Sequence, residues 1–456
     1  MINCSFSKFS RLLLTISYFV CSLACAREHT DVDQNIDAIK FQQEVHGVRE
    51  FKLKNGMALL LIPDTRQIAV TTHLIYRSGS SKEKYGQKGL AHLLEHLLLI
   101  ESGANVKKNF QGHISDFRVK GITNFDFTDY QTWPGSDTKT LKFALQYSSS
   151  MMASFNATPE QLEQAKRQVI NERENTGAGR FNFLLREATS NLFTWHAYGR
   201  DPVGIPSDLQ NLTLSDMQEF WYQHYRPENA TLIISGKYDE ADVLNTVLQL
   251  FGPISEARYE EKPIVTVEPP QNGEREIVLL RKTTAPYAII SYRAVDINHP
   301  DAAAMDLLSR VLLSAERTKN DFSDLEKIKS TRASYMLLQQ AGLLMFGIDF
   351  QYGISEGIFK TKFIDVLENL PKQPVTEQAF LKAKKAAARD HMHITENSDE
   401  LAFKLLTFIA GGNWQRYFTL QQDIQNYDLT QLQKKGEEWI TSSNRLAITL
   451  REPVRR

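Results

Sequence analysis

Two histidines and a glutamate form the clearest chemical pattern in this sequence, within the segment GLAHLLEHLLL at residues 89–99. His92 and His96 are four residues apart on a predicted helix that begins near Gly89, so both imidazoles project from one face. Two imidazoles at this spacing can bind a single divalent metal ion. Glu95 lies on the same face, where its carboxylate can take a proton from a water molecule at the metal.

A structural role for the two histidines is the alternative. In that interpretation His92 and His96 are helix residues with ordinary hydrogen-bonded partners, surrounded by core leucines. Burying two imidazoles and a carboxylate together on an apolar helix is costly unless something neutralises and coordinates them. A divalent cation removes that cost, so the sequence favours a metal site.

A third metal ligand is expected on the helix that follows residue 156. Thr158 and Pro159 are typical of an N-cap and a first helical position. At about 100° per residue, Glu172 falls on the buried stripe of this helix, whereas Glu174 lies roughly 200° away and should face solvent. Glu163 is also off the centre of the stripe. The stripe is formed by three apolar residues: Leu162, Ala165 and Val169.

A ligand set of two histidines and one glutamate leaves a fourth tetrahedral position for water, as in catalytic zinc sites. We therefore predict one zinc ion per chain, bound by His92, His96 and Glu172. Zinc lowers the pKa of its water towards ~7 and polarises a substrate carbonyl. Glu95 would accept the proton as general base and return it to the leaving amine. The predicted reaction is peptide hydrolysis.

The segment that carries the motif has a counterpart in the second half of the sequence. GLAHLLEHLLL at 89–99 matches AAMDLLSRVLL at 303–313, at an offset of 214 residues. The apolar positions coincide, so the packing face is retained. The polar positions differ: His92, Glu95 and His96 correspond to Asp306, Ser309 and Arg310. The chemistry is therefore predicted for the first half alone.

Two further pairs of segments occur in the same order. The helical segments that begin at Thr158 and Thr376 correspond at an offset of 218 residues, and YRS at 76–78 corresponds to YRA at 292–294. A chance match of amphipathic helices explains any one pair, but three ordered pairs favour duplication. The sequence therefore predicts two homologous halves.

The predicted fold class is α+β, because each half alternates strand-like runs with long amphipathic helical patterns. We expect two homologous α/β-sandwich domains, each with helices packed on a mainly antiparallel sheet. A proline-rich stretch with Pro263, Pro269 and Pro270 is typical of an interdomain linker. The predicted boundaries are 27–255 for the N-terminal peptidase domain with the zinc site, 256–274 for the linker and 275–456 for the C-terminal domain without the metal site.

The first 26 residues have the pattern of a secretory signal peptide. Lys8 and Arg11 precede an apolar run over 12–26, and Ala24 and Ala26 are placed as in a small-residue cleavage site. The run is shorter than the ~20 residues that span a bilayer, and no membrane span is expected later. We predict a secreted or periplasmic protein. The alternative is a lipoprotein acylated on Cys25, for which Ser22 is a weak fit.

The charge and cysteine content exclude other classes of protein. The chain has 53 Lys and Arg against 54 Asp and Glu, so no excess positive charge is available to neutralise a nucleic acid backbone. All three cysteines, at 4, 21 and 25, lie in the predicted leader. The mature chain would therefore have neither a disulfide nor a thiolate metal ligand.

These residues together resemble the pitrilysin, or insulinase-like, zinc peptidases of the M16 family. The resemblance covers nearly the whole predicted mature chain, from FKLKNGMALLLIPD at 51–64 through GLAHLLEH to the Glu172 helix and the second half. The spacing of 76 residues from His96 to Glu172 also fits the family. The resemblance implies paired α+β domains that close as a clamshell over a peptide, with zinc in the first domain only.

The resemblance also implies where a peptide substrate would bind. GITNFDFTDYQTWP, at 121–134, occupies the place of the family's substrate-side strand, and its motif begins here with Asn124 and Phe125. An edge strand at this place can bind an extended peptide by main-chain hydrogen bonds. An ordinary sheet strand is the alternative. Tyr335 is the candidate for the family's second-half tyrosine, but Ile328 stands where its arginine is expected and Arg332 is wrongly spaced.

A further departure from the family pattern is Ala165, which stands where many members have a second glutamate. Some members work as heterodimers, in which a homologous chain supplies the arginine and tyrosine. The predicted function is therefore a zinc endopeptidase acting on peptides or small unfolded proteins. The alternatives are a non-catalytic or partner-dependent subunit of a hetero-oligomeric assembly, with a homologous chain or a second copy as partner, and a chain that binds zinc but only captures peptides.

Overall fold

The computed structural model describes residues 38–109, 117–135, 138–175, 179–256, 265–283, 285–314, 328–351 and 356–453. The predicted signal peptide, with Cys25, lies outside these ranges. Within them, no helix is both long enough and apolar enough to cross a membrane.

The first half of the chain forms a seven-stranded sheet. Its strands are β1 (Ile39–Val45), β2 (Val48–Leu53), β3 (Ala58–Pro63), β4 (Val70–Tyr76), β5 (Arg118–Thr123), β6 (Thr128–Gly135) and β7 (Ala230–Gly236). Their order across the sheet is β1-β2-β3-β7-β4-β6-β5. All neighbours are antiparallel except β3 and β7, which are parallel. Strand β5 is therefore an edge of this sheet.

The second half forms a five-stranded sheet. Its strands are β8 (Arg275–Leu280), β9 (Tyr287–Ala294), β10 (Ile328–Leu337), β11 (Gly342–Phe350) and β12 (Arg445–Arg451). Their order is β10-β11-β9-β12-β8, with only β12 and β8 parallel. Taken from its other edge, this order reproduces β3-β7-β4-β6-β5 of the first sheet, including the parallel pair. The predicted fold of two homologous halves with mainly antiparallel sheets is confirmed.

Both halves of the described chain also contain helices. They are α1 (Leu90–Asn109), α2 (Thr138–Ala153), α3 (Pro159–Asn175), α4 (Arg180–Leu192), α5 (Pro206–Asn211), α6 (Leu214–His224), α7 (Glu240–Phe251), α8 (Ala302–Val311), α9 (Glu356–Glu368), α10 (Glu377–Glu396), α11 (Ser398–Ala410), α12 (Arg416–Asn426) and α13 (Leu429–Trp439). Helices α1 and α3 pack against each other in the first half, as α8 and α10 do in the second.

The central strand β4 is buried on both faces. Leu74 and Tyr76 belong to the core of the first half, which includes Leu93 and Leu97 of α1. Ile75 points to the opposite face and joins a core that extends through the second half. Alternate residues of a strand point to opposite faces, so a strand covered on both sides is buried throughout.

Each half contributes one helix to the sheet of the other half. Helix α11 packs on β3, β4 and β7, and helix α4 packs on β9 and β12. Apolar residues of α4, including Phe183 and Leu184, join Ile289 and Ile448 in a shared core. Burial of these faces joins the two halves through hydrophobic contacts.

Candidate metal centre

Helix α1 positions the three residues of the HxxEH motif. It begins at Leu90, directly after Gly89, as predicted. Four leucines of the helix are buried in the core of the first half, which fixes its rotation and turns the motif towards α3 and β5. These leucines are Leu93, Leu94, Leu97 and Leu98.

A buried carboxylate holds the beginning of α1. Glu83 accepts hydrogen bonds from the backbone N–H groups of Gly89 and Ala91, both at 3.0 Å. Free N–H groups at a helix N-terminus favour a nearby negative charge. Burial nevertheless raises the pKa of Glu83 to about 8, against the opposite effect of these two donors and of Arg200.

Helix α3 supplies the third candidate ligand. The Thr158 hydroxyl accepts from the Gln161 N–H at 3.3 Å and Gln161 Oε1 accepts from the Thr158 N–H at 2.9 Å, a reciprocal capping box. The apolar stripe is buried as predicted, at Leu162, Ala165 and Val169. Glu172 lies at the end of this stripe and turns towards α1, whereas Glu174 is exposed.

The structure brings His92, His96 and Glu172 together. The Nε2 atoms of His92 and His96 lie 3.5 and 3.2 Å from the same carboxylate oxygen, Oε2 of Glu172. The two imidazole rings are nearly perpendicular, with centroids 4.8 Å apart. One potential ligand atom from each residue lies within 4.8 Å of the other two. Within the described ranges, this is a group of side chains able to hold a metal ion.

Glu95 lies beside this group but is held separately. Its side chain is buried, and Oε2 accepts a hydrogen bond of 2.6 Å from the Thr123 hydroxyl of β5. Gly121 allows this approach, since a Cβ atom at that position would lie 2.1 Å from Oε1 of Glu95. The carboxylate therefore rests against the edge strand and next to the candidate ligands.

The charges in the cluster are strongly coupled. Hydrogen bonds from His92 and His96 hold the pKa of Glu172 far below its usual range. Burial alone would lower the pKa of His96, but the hydrogen bond to Glu172 and the charge of Glu95 raise it overall. Burial raises the pKa of Glu95, against the attraction of His92. The Glu172 carboxylate is thus stabilised as an anion that faces two imidazole nitrogens.

The cluster opens into a cavity of about 550 Å³ between α1, α3 and the edge strand β5. The strand contributes Lys120 to Thr123 to the wall. Pro202 and Val203, from a loop after α4, also line the cavity. A cavity with an edge strand in its wall suits an extended chain more than a compact ligand.

The predicted substrate-binding residues are not among those that line this cavity. Asn124 and Phe125 belong to the turn between β5 and β6, so the segment 121–134 is a hairpin and not one strand. Asn124 Oδ1 accepts from the Phe125 N–H at 2.7 Å, and the Phe125 ring packs edge-on against Tyr198. The Tyr335 hydroxyl donates to the Val295 carbonyl at 2.8 Å. Their roles in substrate binding stay predictions.

Several residues of the site were not predicted from the sequence. Thr123 donates to Glu95, and Gln168 Oε1 lies 3.2 Å from Nδ1 of His96. Gln168 is four residues before Glu172 on the same helix face, a spacing that could have indicated it. Pro202 and Val203 carry no comparable signal, because their position depends on how a distant loop packs.

The equivalent place in the second half holds an ion-pair cluster. Asp306 and Arg310 of α8 stand at the positions of His92 and His96, and Asp390 of α10 stands at the position of Glu172. The Arg310 guanidinium donates to Asp306 Oδ1 at 2.6 Å and to Asp390 Oδ2 at 2.7 Å. A cation of the chain itself therefore bridges the two helices here.

The residues of the first-half cluster fit a zinc ion. Two imidazole nitrogens and one carboxylate oxygen are the donor types that bind zinc in open, three-ligand sites. Nδ1 of His92 is buried, and no partner for it is present in the described part of the chain. Unpaired buried polar atoms are unfavourable, so the cluster is incomplete as a purely hydrogen-bonded network.

Comparison with known proteins supports this assignment at the level of the family. A family model described as the peptidase M16 inactive domain matches residues 211–387. The chain is 24% identical over 412 residues to a zinc protease named PqqE from Helicobacter pylori, covering 88% of this chain and 91% of that protein.

Two solved structures share the fold. A protease from Helicobacter pylori has a TM-score of 0.79 at 22% identity, covering 89% of this chain and 99% of that chain. The periplasmic protease PqqL from Escherichia coli has a TM-score of 0.74 at 14% identity, covering 91% of this chain and 48% of that chain. The present chain thus spans about half the length of PqqL. From the family match, the related zinc protease and the shared two-sheet fold, we conclude that the chain is similar to M16 peptidases and shares their fold.

Proposed function

We propose that the protein is a zinc-dependent endopeptidase that hydrolyses peptides or small unfolded proteins. One observation carries the proposal: His92, His96 and Glu172 converge beside the separately held carboxylate of Glu95, in a cavity bordered by an edge strand. The match to an inactive M16 domain covers residues 211–387, which include none of these four side chains.

Each residue of the site has a role in this proposal. His92, His96 and Glu172 would hold the zinc ion, which supplies activation of water and polarisation of the scissile carbonyl. Glu95 would accept a proton from the attacking water and donate it to the leaving amine. The Thr123 hydroxyl fixes Oε2 of Glu95 at 2.6 Å and so orients the carboxylate.

The edge strand β5 offers a way to bind the substrate. Its partner β6 lies on one side only, so the main-chain groups of its other edge are not used within the sheet. A peptide in extended conformation can add to such an edge by main-chain hydrogen bonds, with little dependence on side chains. Lys120 to Thr123 line the cavity beside Glu95, which would bring a bound peptide to the reacting groups.

A partner-dependent enzyme is the second candidate. The chain spans 48% of the length of PqqL, so a second chain of similar size would be needed to match it. Tyr335, the predicted second-half tyrosine, directs its hydroxyl to the Val295 carbonyl of its own half. In this version a homologous chain or a second copy completes the substrate-binding surface.

The location and the domain division are proposed on similar grounds. PqqL is described as periplasmic, which supports a secreted or periplasmic location for this chain. The strands of the first sheet lie between residues 39 and 236 and those of the second between 275 and 451. This separation supports domains at 27–255 and 275–456, with 256–274 as the linker.

The experiment is cleavage of a mixed peptide library by zinc-loaded protein, followed by mass spectrometry. Glu95→Gln should lower the rate by about 10²- to 10⁴-fold, the usual contribution of a general base, and should still bind zinc. Glu101→Gln is the matched control, since Glu101 is a buried carboxyl on the same helix that accepts from the Asn156 N–H at 3.0 Å. Equal cleavage by wild type and Glu95→Gln would refute the proposed role of Glu95.

A silent wild-type protein has two distinct explanations. If it binds zinc and does not cleave, addition of a homologous chain separates the partner-dependent version from peptide capture without hydrolysis. If it does not bind zinc after reconstitution, the ligand assignment fails, and the non-catalytic subunit becomes the better description.

A further inference from the structure

One loop contacts both helices that carry the candidate ligands. We define the bridging loop as residues 200–204, from Arg200 to Gly204, which follows α4 and precedes α5. Pro202 and Val203 of this loop line the cavity that contains His92, His96 and Glu172. The loop thus forms part of the site wall and also connects the two sides of the site.

The loop is tied to α3 next to Glu172. Arg173, the residue that follows Glu172, donates from one guanidinium nitrogen to Asp201 Oδ2 at 3.0 Å and to the Gly204 carbonyl. The Arg186 guanidinium, from α4, lies 3.5 Å from the same Asp201 oxygen. The other carboxylate oxygen of Asp201, Oδ1, accepts from the Val203 N–H at 3.1 Å within the loop. One oxygen of Asp201 thus faces the two arginines and the other holds the loop backbone.

The loop is also packed against the beginning of α1. Gly89 and Gly204 both have positive φ angles, of 94° and 81°. A Cβ atom on either glycine would lie 2.6 Å from the Cα atom of the other, so the two backbones touch directly. Arg200 donates to the Glu83 carbonyl, and the Glu83 carboxylate holds the first turn of α1. Side chains larger than hydrogen would push the loop and α1 apart.

We propose that Asp201 is a positioning residue for the metal site. Through Arg173 it fixes the end of α3, and through the loop backbone it ties that end to the first turn of α1. The separation between Glu172 and the pair of histidines then depends on this loop as well as on the helix packing. The inference rests on the proposed zinc site and adds a residue that touches none of its ligands.

Asp201→Ala is the direct test, with zinc affinity measured by competition with a chromophoric chelator. The expected result is zinc binding weaker by roughly 10-fold, the lower end of the effect for residues bonded directly to metal ligands, because Asp201 acts through Arg173. Asp201→Asn should lie between wild type and Asp201→Ala, since an amide oxygen still accepts a hydrogen bond but carries no charge. Cobalt substituted for zinc should give an altered visible absorption spectrum in Asp201→Ala, because the ligand geometry changes.

Asp349→Asn and Asp349→Ala are the matched controls. Asp349 accepts from Arg180 at 2.9 Å, and its side chain is 11% exposed, against 10% for Asp201. It belongs to β11 of the second sheet, so its substitution should lower thermal stability without altering zinc affinity or the cobalt spectrum. Metal-free Asp201 and Asp349 variants should lose similar amounts of thermal stability.

The outcomes separate this inference from the proposed function. Zinc binding by Asp201→Ala as tight as that of wild type, with an unchanged cobalt spectrum, would overturn the positioning role. Failure of wild type to bind zinc would instead overturn the metal site. If Asp201→Ala does not fold, Arg173→Lys provides the test, because lysine can pair with Asp201 but cannot reproduce both guanidinium contacts. Weaker zinc binding by Arg173→Lys would support the proposal, and unchanged zinc binding would contradict it.

Discussion

The two halves contain equivalent pairs of packed helices, α1 with α3 and α8 with α10. The pairs differ in the charged and polar side chains that lie between them. In the first half, two imidazoles face one carboxylate. In the second half, the Arg310 guanidinium lies between the carboxylates of Asp306 and Asp390. The second pair of helices therefore contains its own cation, whereas the first pair has two imidazoles and a carboxylate, which are donor types that could hold a cation from outside.

The hairpins at the sheet edges, β5–β6 and β10–β11, also differ between the two halves. The strand pairing places Thr123 of β5 at the position of Tyr335 of β10, because Thr123 pairs with Thr128 next to Tyr76 and Tyr335 pairs with Leu344 next to Tyr292. In the first half the Thr123 hydroxyl donates to the Glu95 carboxylate. In the second half the Tyr335 hydroxyl donates to a carbonyl of its own half, and Ser309 stands in place of Glu95. The fold thus accommodates either a candidate metal site or an ion-pair cluster between equivalent helices.

The largest expected effect concerns metal binding. His96→Ala removes one of three ligands and should weaken zinc binding by more than the roughly 10- to 100-fold attributed to outer partners. Arg310→Met changes the equivalent residue of the second half and should leave zinc affinity unchanged. Chelator competition measures both constants. Equal losses in the two variants would show that the halves are not chemically distinct.

The second-largest expected effect concerns the first turns of helices α1 and α8. Glu83 holds the first turn of α1, whereas the Asp301 side chain makes no capping hydrogen bond at the start of α8. Burial raises the pKa of Glu83 to about 8, with Arg200 and Asp201 as charged neighbours. The folded protein therefore keeps this proton at pH values where the unfolded chain has lost it.

Raising the pH from 5 to 8 should consequently reduce the contribution of Glu83 to the free energy of unfolding, by at most about 1.4 kcal/mol per pH unit. Glu83→Gln lacks this titration, so the stability of wild type relative to the variant should fall across that range. Urea unfolding of both proteins in chelator at several pH values measures the difference. A constant or rising difference would contradict the raised pKa.

The smallest expected effect concerns the ion-pair cluster itself. Arg310→Met leaves Asp306 and Asp390 without their shared cation and should lower the free energy of unfolding by about 1–3 kcal/mol, between the values for exposed and buried pairs. Asp306→Asn combined with Arg310→Met should recover part of this loss, because one unpaired carboxylate is removed. Urea unfolding of metal-free protein provides the measurement. No loss in Arg310→Met would mean that the cluster contributes nothing to stability.

Local periodicity allowed much of the candidate metal centre to be predicted. The four-residue spacing of His92 and His96 places both on one face of a helix in any fold that contains that helix. The stripe of Leu162, Ala165 and Val169 likewise indicated Glu172 and excluded Glu174, and the structure turns Glu172 towards both imidazoles. The repeat in the sequence predicted two related halves, and the strand orders agree.

Contacts between distant segments could not be predicted in the same way. The segment 121–134 has a continuous strand-like pattern, yet the chain turns at Asn124 and Phe125, because the Asn124 N–H bonds to the Phe127 carbonyl and closes a hairpin. Tyr335 matched a family position, but the direction of its hydroxyl depends on the neighbouring Val295 backbone. Neither fact follows from residue spacing.

The sequence by itself determined which residues share a helix face, which helices are repeated and which half carries the candidate ligands. Only the tertiary structure decided that Glu95 rests on Thr123, that Asp390 and Arg310 form the counterpart cluster, and that Asp201 binds Arg173 of α3. The physical reason is the range of the interactions. Helical periodicity is set by neighbouring residues, whereas these contacts join segments that are 28 to 80 residues apart and meet only when the sheets and helices pack.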